Sequence, residues 1–599
     1  MTALDPHSRR APFEGQRRTE IALIKKRMEV VFLGFLAALG LLGLRLAHIQ
    51  MGLGGQFTRV ADRMTARDRE IEADRGRLLD RNGEELAQDV NGKAIILNPR
   101  VVVSPDATAA RLAELLRADV DERQRLAQRI RSQKERGSFY CLVRRGVENR
   151  EARAIQAAAK GDPLLKGLAF REAPVRVYPS DGDGIHVVGT LDATGRGLEG
   201  MELQYDGILR GKNGRVRVRV NGTGEAIPET EERVSEPVEG HNVRLALDRD
   251  IQHIVEMEIA RVMKQERPDS VSSVVMEVST GDVLAMANLP AFGPGERKVP
   301  PDHRRNRAVT DGYEPGSTFK AFTAAAALEA RVNTQAHCSG TWTVSGYTMH
   351  CAHGAVHGSV SLRDMLAQSC NLAAGTLAER VGAAKLHAFL VKCGFGARTG
   401  IGFPGEAAGL LRSSRDWLRI NTINIGFGQG LSVSPLQLVA AFSAIANDGV
   451  YMPPRLVLDA PGTTVPERPP RRIVSSRTAQ ILRDSLQWVV TNGSGTRAKI
   501  PGYTVAGKTG TAQLVEGGRY ADGYVASFVG FVPARRPRLA ILVSVWRPRV
   551  NQYGGDVAAP VFHNIAQQCL LYRRVPEDAP WDRRDGIAES TPMNRSLRD

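Results

Sequence analysis

A chain of 599 residues, 42% of them hydrophobic, is too long for one ordinary domain and apolar enough to build more than one core. Its 81 lysines and arginines outnumber its 65 acidic residues and give a formal charge of +16, which suits nucleic acid, anionic lipid or an anionic polymer. The sequence has no nucleic-acid motif and no interleaving of aromatic with basic residues, so we predict no nucleic-acid partner.

The N-terminal part predicts a membrane anchor. The uncharged apolar run VVFLGFLAALGLLGL covers 30–44 and follows Lys25, Lys26 and Arg27 after two intervening residues. The run is shorter than the roughly 20 residues of a membrane span, but apolar residues continue beyond it, and the cationic flank favours a cytoplasmic N-terminus. A cleaved signal peptide is the alternative, although no clear cleavage site follows. We therefore predict a cytoplasmic segment 1–29, one retained transmembrane helix 30–50, and an extracytoplasmic remainder.

The first external module, 51–235, is predicted to be an elongated and irregular mixture of helices and strands. Its segment RGRLLDRNGEELA predicts a turn at Asp80–Gly83 between two short strands, within a connector of little buried surface. Helical periodicity at 107–160 is followed by short strand signals and glycine turns at 164–222. The acidic, proline-containing segment 225–242 is interpreted as a linker.

The second external module, 243–572, has the pattern of a compact domain. Strand signals at both of its ends enclose alanine-rich helical stretches. This order predicts an antiparallel sheet that is completed by the two chain ends and packed against a helical cluster. The polar residues 573–599 are interpreted as a flexible tail. The expected fold class is therefore α+β, or mixed.

The segment EPGSTFKAF, 314–322, places Ser317 three residues before Lys320 at the start of a helical run. This spacing puts both side chains on one helix face. Ser317 is either a helix cap or a nucleophile. A capping serine is best matched by Glu or Gln three residues later, and the helix dipole disfavours a lysine there. The same dipole, together with burial, lowers the pKa of the lysine and favours Lys320 as the base of a nucleophilic Ser317.

Two further motifs contain groups that a serine nucleophile needs. Ser369 and Asn371 form an S-x-N triplet in a predicted loop before a helix, and KTGT at 508–511 has a strand-like context. The set S-x-x-K, S-D-N and K-T-G is the established signature of class A β-lactamases and penicillin-binding proteins. The order and context of the three motifs predict acyl transfer by Ser317.

Acyl transfer assigns a role to each group. Ser369 relays a proton to the leaving nitrogen, and Asn371 holds Lys320 and the substrate backbone. The KTGT strand is predicted to bind the substrate: Lys508 adds positive charge, the hydroxyls of Thr509 and Thr511 bind a carboxylate, and Gly510 lets the substrate lie close to the strand. The backbone amides of Ser317 and Thr511 are the predicted oxyanion donors.

The six cysteines are too few to form a disulfide scaffold in a chain of this length. One group is unusual, because Cys338, His350, Cys351, His353 and His357 lie within 20 residues of one another. Thiolates and imidazoles are the usual ligands of zinc, but the spacing matches no standard pattern. A disulfide between Cys338 and Cys351 fits an oxidising compartment, and the third alternative is that neither forms. We predict no metal among the site residues and no cofactor.

With these motifs in place, the sequence resembles the class B penicillin-binding proteins, the monofunctional transpeptidases that cross-link bacterial peptidoglycan. The resemblance also covers the anchor, RGRLLDRNG, RVYPSDGDGIHVVG, GLEGMELQYD and the domain 243–572. The segments INIGFGQGLSVSPLQLVAAFSAIANDG and YGGDVAAPVF are most similar to the septal, cell-division type. Cys370 occupies the middle position of the S-x-N triplet, which varies in that family. The resemblance implies a serine β-lactamase-like transpeptidase fold and an N-terminal pedestal, or dimerisation-type domain, that binds partner proteins.

The resemblance implies a single-pass protein of the bacterial inner membrane whose Ser317 is acylated by a stem peptide and released by an amine from a second strand. The implied partners are peptidoglycan stem peptides, β-lactams, a peptidoglycan glycosyltransferase and other division proteins. One alternative is a D,D-carboxypeptidase or β-lactamase, in which water releases the acyl group. Another is a β-lactam sensor or division scaffold. The pedestal and the lack of a recognisable deacylating glutamate loop argue against a hydrolase, and a single span with a short cytoplasmic segment argues against a sensor.

Overall fold

The computed structural model describes residues 13–579 apart from 54, 57–59, 61–64, 181, 193, 222–225, 297, 345 and 464–468. The predictions for residues 1–12 and 580–599 lie outside the described residues. The chain divides into two compact units, Met1–Ile71 with Asn213–Pro237, and Glu72–Lys212 with Val238–Asp599.

The helices of the described residues are α1 Phe13–Ala47, α2 Pro105–Leu115, α3 Val120–Glu135, α4 Asn149–Ala159, α5 Ile185–Val188, α6 Gly200–Gln204, α7 Asp206–Leu209, α8 Arg249–Glu266, α9 Arg307–Thr310, α10 Lys320–Glu329, α11 Leu362–Ala367, α12 Asn371–Val381, α13 Ala383–Lys392, α14 Arg419–Gly426, α15 Pro435–Ala446, α16 Ser476–Asn492 and α17 Gly554–Tyr572. The strands are β1 Ala66–Ile71, β2 Leu78–Leu79, β3 Glu85–Leu97, β4 Cys141–Glu148, β5 Leu168–Val177, β6 Gly214–Val220, β7 Ala226–Ser235, β8 Val243–Leu245, β9 Ser270–Glu277, β10 Val283–Leu289, β11 Ala336–Cys338, β12 Thr341–Val344, β13 Tyr347–His350, β14 Gly358–Val360, β15 Val450–Tyr451, β16 Val457–Asp459, β17 Arg471–Arg472, β18 Ala506–Glu516, β19 Arg519–Val532 and β20 Leu539–Trp546.

The first unit contains an apolar helical stretch and a small antiparallel sheet. Residues Thr19–Gly52 are long and apolar enough to cross a membrane, and none of the apolar window is buried. The sheet has the strand order β1-β6-β7. Pairing with β6 satisfies the backbone of β7, so the interpretation of 225–242 as a linker is wrong for residues 226–235.

The second unit contains a six-stranded sheet in which β2 lies between β8 and β3. The predicted turn is present, because the Asp80 carboxylate accepts hydrogen bonds from the backbone N–H groups of Asn82 and Glu84 at 2.7 and 2.9 Å. The prediction of little buried surface is wrong here. Leu78 has no exposed surface, since its strand pairs on both sides.

A buried ion-pair network joins three segments that are distant in sequence. Arg75 contacts Glu202 and Asp206, each at 2.7 Å. Arg176 contacts the other oxygen of Glu202 at 2.7 Å and Asp89 at 3.1 Å. The Glu202 side chain has no exposed surface, so its charge depends on the two guanidinium groups for compensation.

The five-stranded antiparallel sheet of the second unit has the order β10-β9-β20-β19-β18, so the two ends of the domain complete it as predicted. Helices α8 and α17 pack on one face around Ile251, Val255 and Phe562. The wholly buried helix α15 packs against β9, β19 and β20, where Phe442 contacts both Phe531 and Phe322 of α10. This aromatic contact ties the helix that follows Ser317 to the sheet.

Residues 573–579, predicted to begin a flexible tail, are held to the domain. Arg573 forms an ion pair with Glu277 at 2.7 Å. The Asp578 carboxylate accepts a hydrogen bond from the backbone N–H of Thr504 at 2.7 Å. The interpretation as a tail is therefore wrong for these residues.

The network at Glu202 yields a stability prediction. Glu202→Ala leaves two buried guanidinium groups without their shared carboxylate, and we expect it to lower the free energy of unfolding by about 3 to 5 kcal/mol. The control is Glu114→Ala. The Glu114 carboxylate is 69% exposed beside Arg111, and its removal should lower the free energy of unfolding by less than about 1 kcal/mol. Urea unfolding of the full chain in detergent measures both. Equal losses in the two variants would contradict the prediction.

Candidate active site

Ser317 lies in a 3₁₀ turn, Gly316–Phe319, that leads directly into α10. The residues at the N-cap positions of the turn and the helix are Pro315 and Phe319, and neither element has a side-chain cap. Ser317 is therefore not a helix cap. Its Oγ instead lies 3.0 Å from Nζ of Lys320, the first residue of α10, which is the nucleophile-to-base distance that acyl transfer requires.

The turn that carries Ser317 is held in place by a close approach of two backbone segments. The N–H of Gly316 donates a hydrogen bond to the carbonyl of Gly428 at 3.0 Å. Gly428 has φ +86°, and a Cβ there would lie 2.1 Å from the carbonyl oxygen of Gly316. The FGQG segment thus needs glycine at 428 because a side chain would displace the nucleophile.

Lys320 is completely buried and surrounded by polar partners. Its Nζ lies 2.7 Å from Oδ1 of Asn371 and 3.2 Å from Oγ of Ser369, and it also contacts the carbonyl of Ser369. Burial is the main cause that lowers the pKa of Lys320 to about 7, while the nearby thiols of Cys370 and Cys351 act in the opposite direction. A large fraction of the amine is therefore neutral at physiological pH and able to accept the proton of Ser317.

Ser369 bridges two lysines from a strained backbone conformation. It lies in the loop between α11 and α12 with φ +56°, a left-handed conformation that costs a non-glycine residue about 1 to 2 kcal/mol. In this conformation its Oγ lies 3.2 Å from Nζ of Lys320 and 3.1 Å from Nζ of Lys508. A hydroxyl between two amines is placed to pass a proton between them.

Lys508 lies on β18 and is also completely buried. Its Nζ is 3.2 Å from Oγ1 of Thr509. Burial, followed by the positive charge of Lys320, lowers the pKa of Lys508 well below its usual value. The predicted positive charge at Lys508 is therefore unfavourable in the free site, and an anion in the cleft would favour it.

Asn371, the first residue of α12, fixes the position of the base. Its Oδ1 accepts a hydrogen bond from Lys320, and its Nδ2 donates one to the carbonyl of His350 at 3.2 Å. One end of the amide thus contacts Lys320, and the other is hydrogen-bonded to the end of β13.

These groups surround a cleft of about 680 Å³. Among the residues that line it are five of the eight predicted site residues: Ser317, Ser369, Asn371, Thr509 and Thr511. Lys320 and Lys508 lie beneath the surface and reach the cleft through Ser317, Ser369 and Thr509.

The structure adds two groups that the sequence analysis missed. The Ser494 hydroxyl lies 2.7 Å from that of Thr509, and the backbone N–H of Gly554 donates to Oγ1 of Thr511 at 3.1 Å. Ser494 lies in the small-residue segment NGSGT just after α16, and Gly554 lies in YGGD. The glycine-flanked Ser494 was the available signal, but nothing local indicated that its loop, or the start of α17 at Gly554, meets β18.

Gly510 lies where β18 approaches the turn that carries Ser317. A Cβ at this position would lie 2.5 Å from Oγ of Ser527 and 2.9 Å from Cγ2 of Thr318. Ser527 lies on the neighbouring strand, and Thr318 lies in the turn that carries Ser317. The missing side chain makes room for this turn, and the approach of a substrate to the strand at Gly510 stays a prediction.

The comparisons agree with this geometry. A family model of the penicillin-binding protein transpeptidase domain matches residues 271–567, and a model of the penicillin-binding protein dimerisation domain matches residues 70–245. The chain belongs to the class B penicillin-binding proteins. All eight predicted site residues of this penicillin-binding protein lie within the transpeptidase match.

Individual relatives cover most of this penicillin-binding protein. Stage V sporulation protein D of Bacillus subtilis is 33% identical over 570 residues, which cover 92% of this chain and 86% of the relative. Peptidoglycan D,D-transpeptidase FtsI of Escherichia coli is 31% identical over 554 residues, 91% of each chain. Penicillin binding protein 3 from Mycobacterium tuberculosis, in its aztreonam complex, matches with a TM-score of 0.65 and 29% identity, covering 86% of this chain and 99% of that one. The predicted family and fold class are confirmed.

The pKa of Lys320 yields a pH prediction. Lys320 accepts the Ser317 proton only when neutral, so acylation is slow below a pH of about 7 and fast above it. For a single group with this pKa, we expect the rate constant of labelling by a fluorescent penicillin to rise about 10-fold from pH 6 to pH 8. Thermal unfolding at both pH values serves as the control for folding. A rate that does not change over this range would contradict the assignment of Lys320 as the base.

Proposed function

We propose that this protein is a peptidoglycan D,D-transpeptidase that cross-links stem peptides through an acyl-Ser317 intermediate. The observation that carries the proposal is the contact of Ser317 Oγ with a buried, neutralised Lys320 at 3.0 Å, at the wall of an open cleft. The name of the relative FtsI, a peptidoglycan D,D-transpeptidase, supports the substrate class.

In the first half-reaction, Lys320 takes the proton of Ser317, and Oγ attacks the carbonyl carbon of the penultimate D-alanine. The backbone amides of Ser317 and Thr511 stabilise the oxyanion. The C–N bond then breaks, and Ser369 passes a proton to the leaving amine of D-alanine. The hydroxyls of Thr509 and Thr511 hold the terminal carboxylate during this step, with Lys508 as its counter-charge.

In the second half-reaction, an amine of a neighbouring stem peptide attacks the ester carbonyl. The excess proton of this amine returns to Ser317 Oγ through Lys320, and the new amide leaves as the ester bond breaks. A β-lactam follows the same first half-reaction, but its amide nitrogen stays tethered to the acyl group after the ring opens. Ser317 therefore remains acylated.

A D,D-carboxypeptidase uses the same residues but releases the acyl group to water. The discriminating experiment supplies a thioester donor together with a labelled D-amino acid acceptor. We expect transfer of the acyl group to the labelled amine by the wild type, and neither transfer nor covalent penicillin labelling by Ser317→Ala. The matched control Ser413→Ala removes an exposed hydroxyl and should behave as wild type. Release of free acid alone would refute transpeptidation.

The proposal includes a place of action. The helix that contains 30–50 anchors the protein in the inner membrane, with the N-terminus in the cytoplasm and the catalytic domain in the periplasm. The supporting observation is the group Lys25, Lys26 and Arg27 before the apolar run. The dimerisation domain binds a glycosyltransferase and other division proteins, and the septal-type segments INIGFGQG and YGGDVAAPVF support action at the division site.

Imaging tests the septal role. A fluorescent fusion of the full chain is expected at midcell in dividing cells, and a depletion strain is expected to form filaments. An even distribution along the side wall with loss of cell shape would refute the septal assignment and favour a role in elongation.

A further inference from the structure

We propose that Cys338, Cys351, His357 and Cys370 bind one Zn²⁺ ion, which clamps the S-x-N loop to the segment before it. The ligand atoms of these four residues all lie within 4.8 Å of one another. The three cysteines are buried and His357 is half-buried. The proposal goes beyond the transpeptidase function, because that chemistry requires no metal.

The distances fit a tetrahedral zinc site. Sγ of Cys351 lies 3.6 Å from Sγ of Cys370 and 3.5 Å from Nδ1 of His357. With Zn–S bonds of about 2.3 Å and Zn–N bonds of about 2.0 Å, the edges of a tetrahedron are about 3.8 Å between two sulfurs and about 3.6 Å between sulfur and nitrogen. These two edges match a zinc tetrahedron closely, and the remaining distances, none longer than 4.8 Å, would shorten by up to about 1 Å on binding, whereas a disulfide between Cys351 and Cys370 requires the sulfurs to approach to about 2.0 Å.

The ligands come from four different places in the fold. Cys338 ends β11, Cys351 follows β13, His357 precedes β14, and Cys370 precedes α12. The direct backbone links are few: β11 pairs with β14 over three residues, and the N–H of Cys351 donates to the carbonyl of Gly340 at 2.8 Å. One ion would cross-link all four places. Four protein ligands also leave no open coordination position, as is typical of structural zinc.

The proposed ion is joined to the catalytic groups by two short connections. Cys370 is the residue between Ser369 and Asn371, so a bond to its sulfur restrains both neighbours. Cys351 follows His350, whose carbonyl accepts the hydrogen bond from Nδ2 of Asn371. The ion thus restrains Asn371 through its backbone, which follows Cys370, and through the His350 carbonyl that its amide contacts. It also helps to hold Ser369 in the left-handed conformation that places its hydroxyl between the lysines.

The proposal replaces the prediction of no metal and changes the ligands that the sequence analysis considered. The candidates there included His350 and His353 but not Cys370, which was assigned to the S-x-N triplet. The order C-x12-C-x5-H-x12-C has no close cysteine pair of the kind that marks common zinc motifs, so spacing alone did not reveal the set. The ring of His350 is exposed and is not part of the cluster.

The test begins with metal content. The full chain is purified in detergent without chelator, and its zinc and iron are measured by elemental analysis. We expect about one zinc per chain in the wild type and less than about a tenth of this in Cys338→Ser and His357→Ala, because three ligands hold a structural ion poorly. The matched controls are Cys393→Ser, a buried thiol elsewhere in the domain, and His350→Ala, and both should keep the zinc. Circular dichroism shows whether each variant is folded.

The second arm measures the clamp. Removal of zinc by a chelator should slow acylation by a fluorescent penicillin at least about 10-fold, and Zn²⁺ but not Mg²⁺ should restore it. Native thiol labelling of the three buried cysteines should become faster after chelation, because the loops around them are no longer cross-linked. The acylation measurement rests on the proposed chemistry of Ser317, whereas the measurement of metal content does not. Failure of the zinc proposal can therefore be distinguished from failure of the transpeptidase proposal.

Several results would overturn the proposal. Wild-type protein that contains no zinc and has six free thiols would refute the site. Wild-type protein that contains no zinc and has fewer free thiols would also refute it and would indicate a disulfide in place of the ion. Iron in place of zinc refutes the identity of the ion. A protein that loses zinc in His357→Ala and acylates at the wild-type rate refutes the clamp.

Discussion

The buried amine of Lys320 is the constraint on which the rest of the site depends. An amine with no exposed surface is costly to bury when charged, and this cost is what brings its pKa to about 7. A neutral amine, in turn, needs partners for its remaining hydrogen-bonding capacity, and Asn371 and Ser369 provide them. The core around α10 thus holds an amine in the neutral form that the base of the proposed acyl transfer needs.

The sheet and the helices each carry parts of the site, and they meet beside Lys320. Strand β18 brings Lys508, and the turn before α10 brings Ser317. Gly510 allows the strand and the turn to approach, and Gly428 allows the FGQG loop to close over the turn. Ser369 lies at the same junction in a strained conformation that only the surrounding contacts maintain. Small residues and local strain therefore coincide with the catalytic groups, as expected where function opposes local preference.

Structural features that depend on residues close together in the sequence could be predicted from the sequence. The S-x-x-K spacing, the loop position of Ser369 and the strand at 508–511 follow from periodicity over a few residues. The order of strand and helix signals along the domain predicted that its two ends share a sheet. Which individual strands and segments pair elsewhere was not accessible in this way. Residues 226–235 have the composition of a linker and form a strand because β6 lies beside them, and Leu78 is buried because its short strand enters a sheet with β8 and β3. The network at Glu202 joins three motifs whose proximity no spacing rule predicts.

The two buried lysines also link substrate binding to catalysis in the proposed reaction. Both amines contact the hydroxyl of Ser369, and the charge of one lowers the pKa of the other. A substrate carboxylate at Thr509 and Thr511 would favour the charged form of Lys508, because the opposite charge offsets the cost of its burial. A charged Lys508 then disfavours a proton on Lys320. The carboxylate and a charged Lys508 therefore act on Lys320 with opposite signs, so substrate binding couples the protonation of the two amines through the Ser369 hydroxyl that both contact.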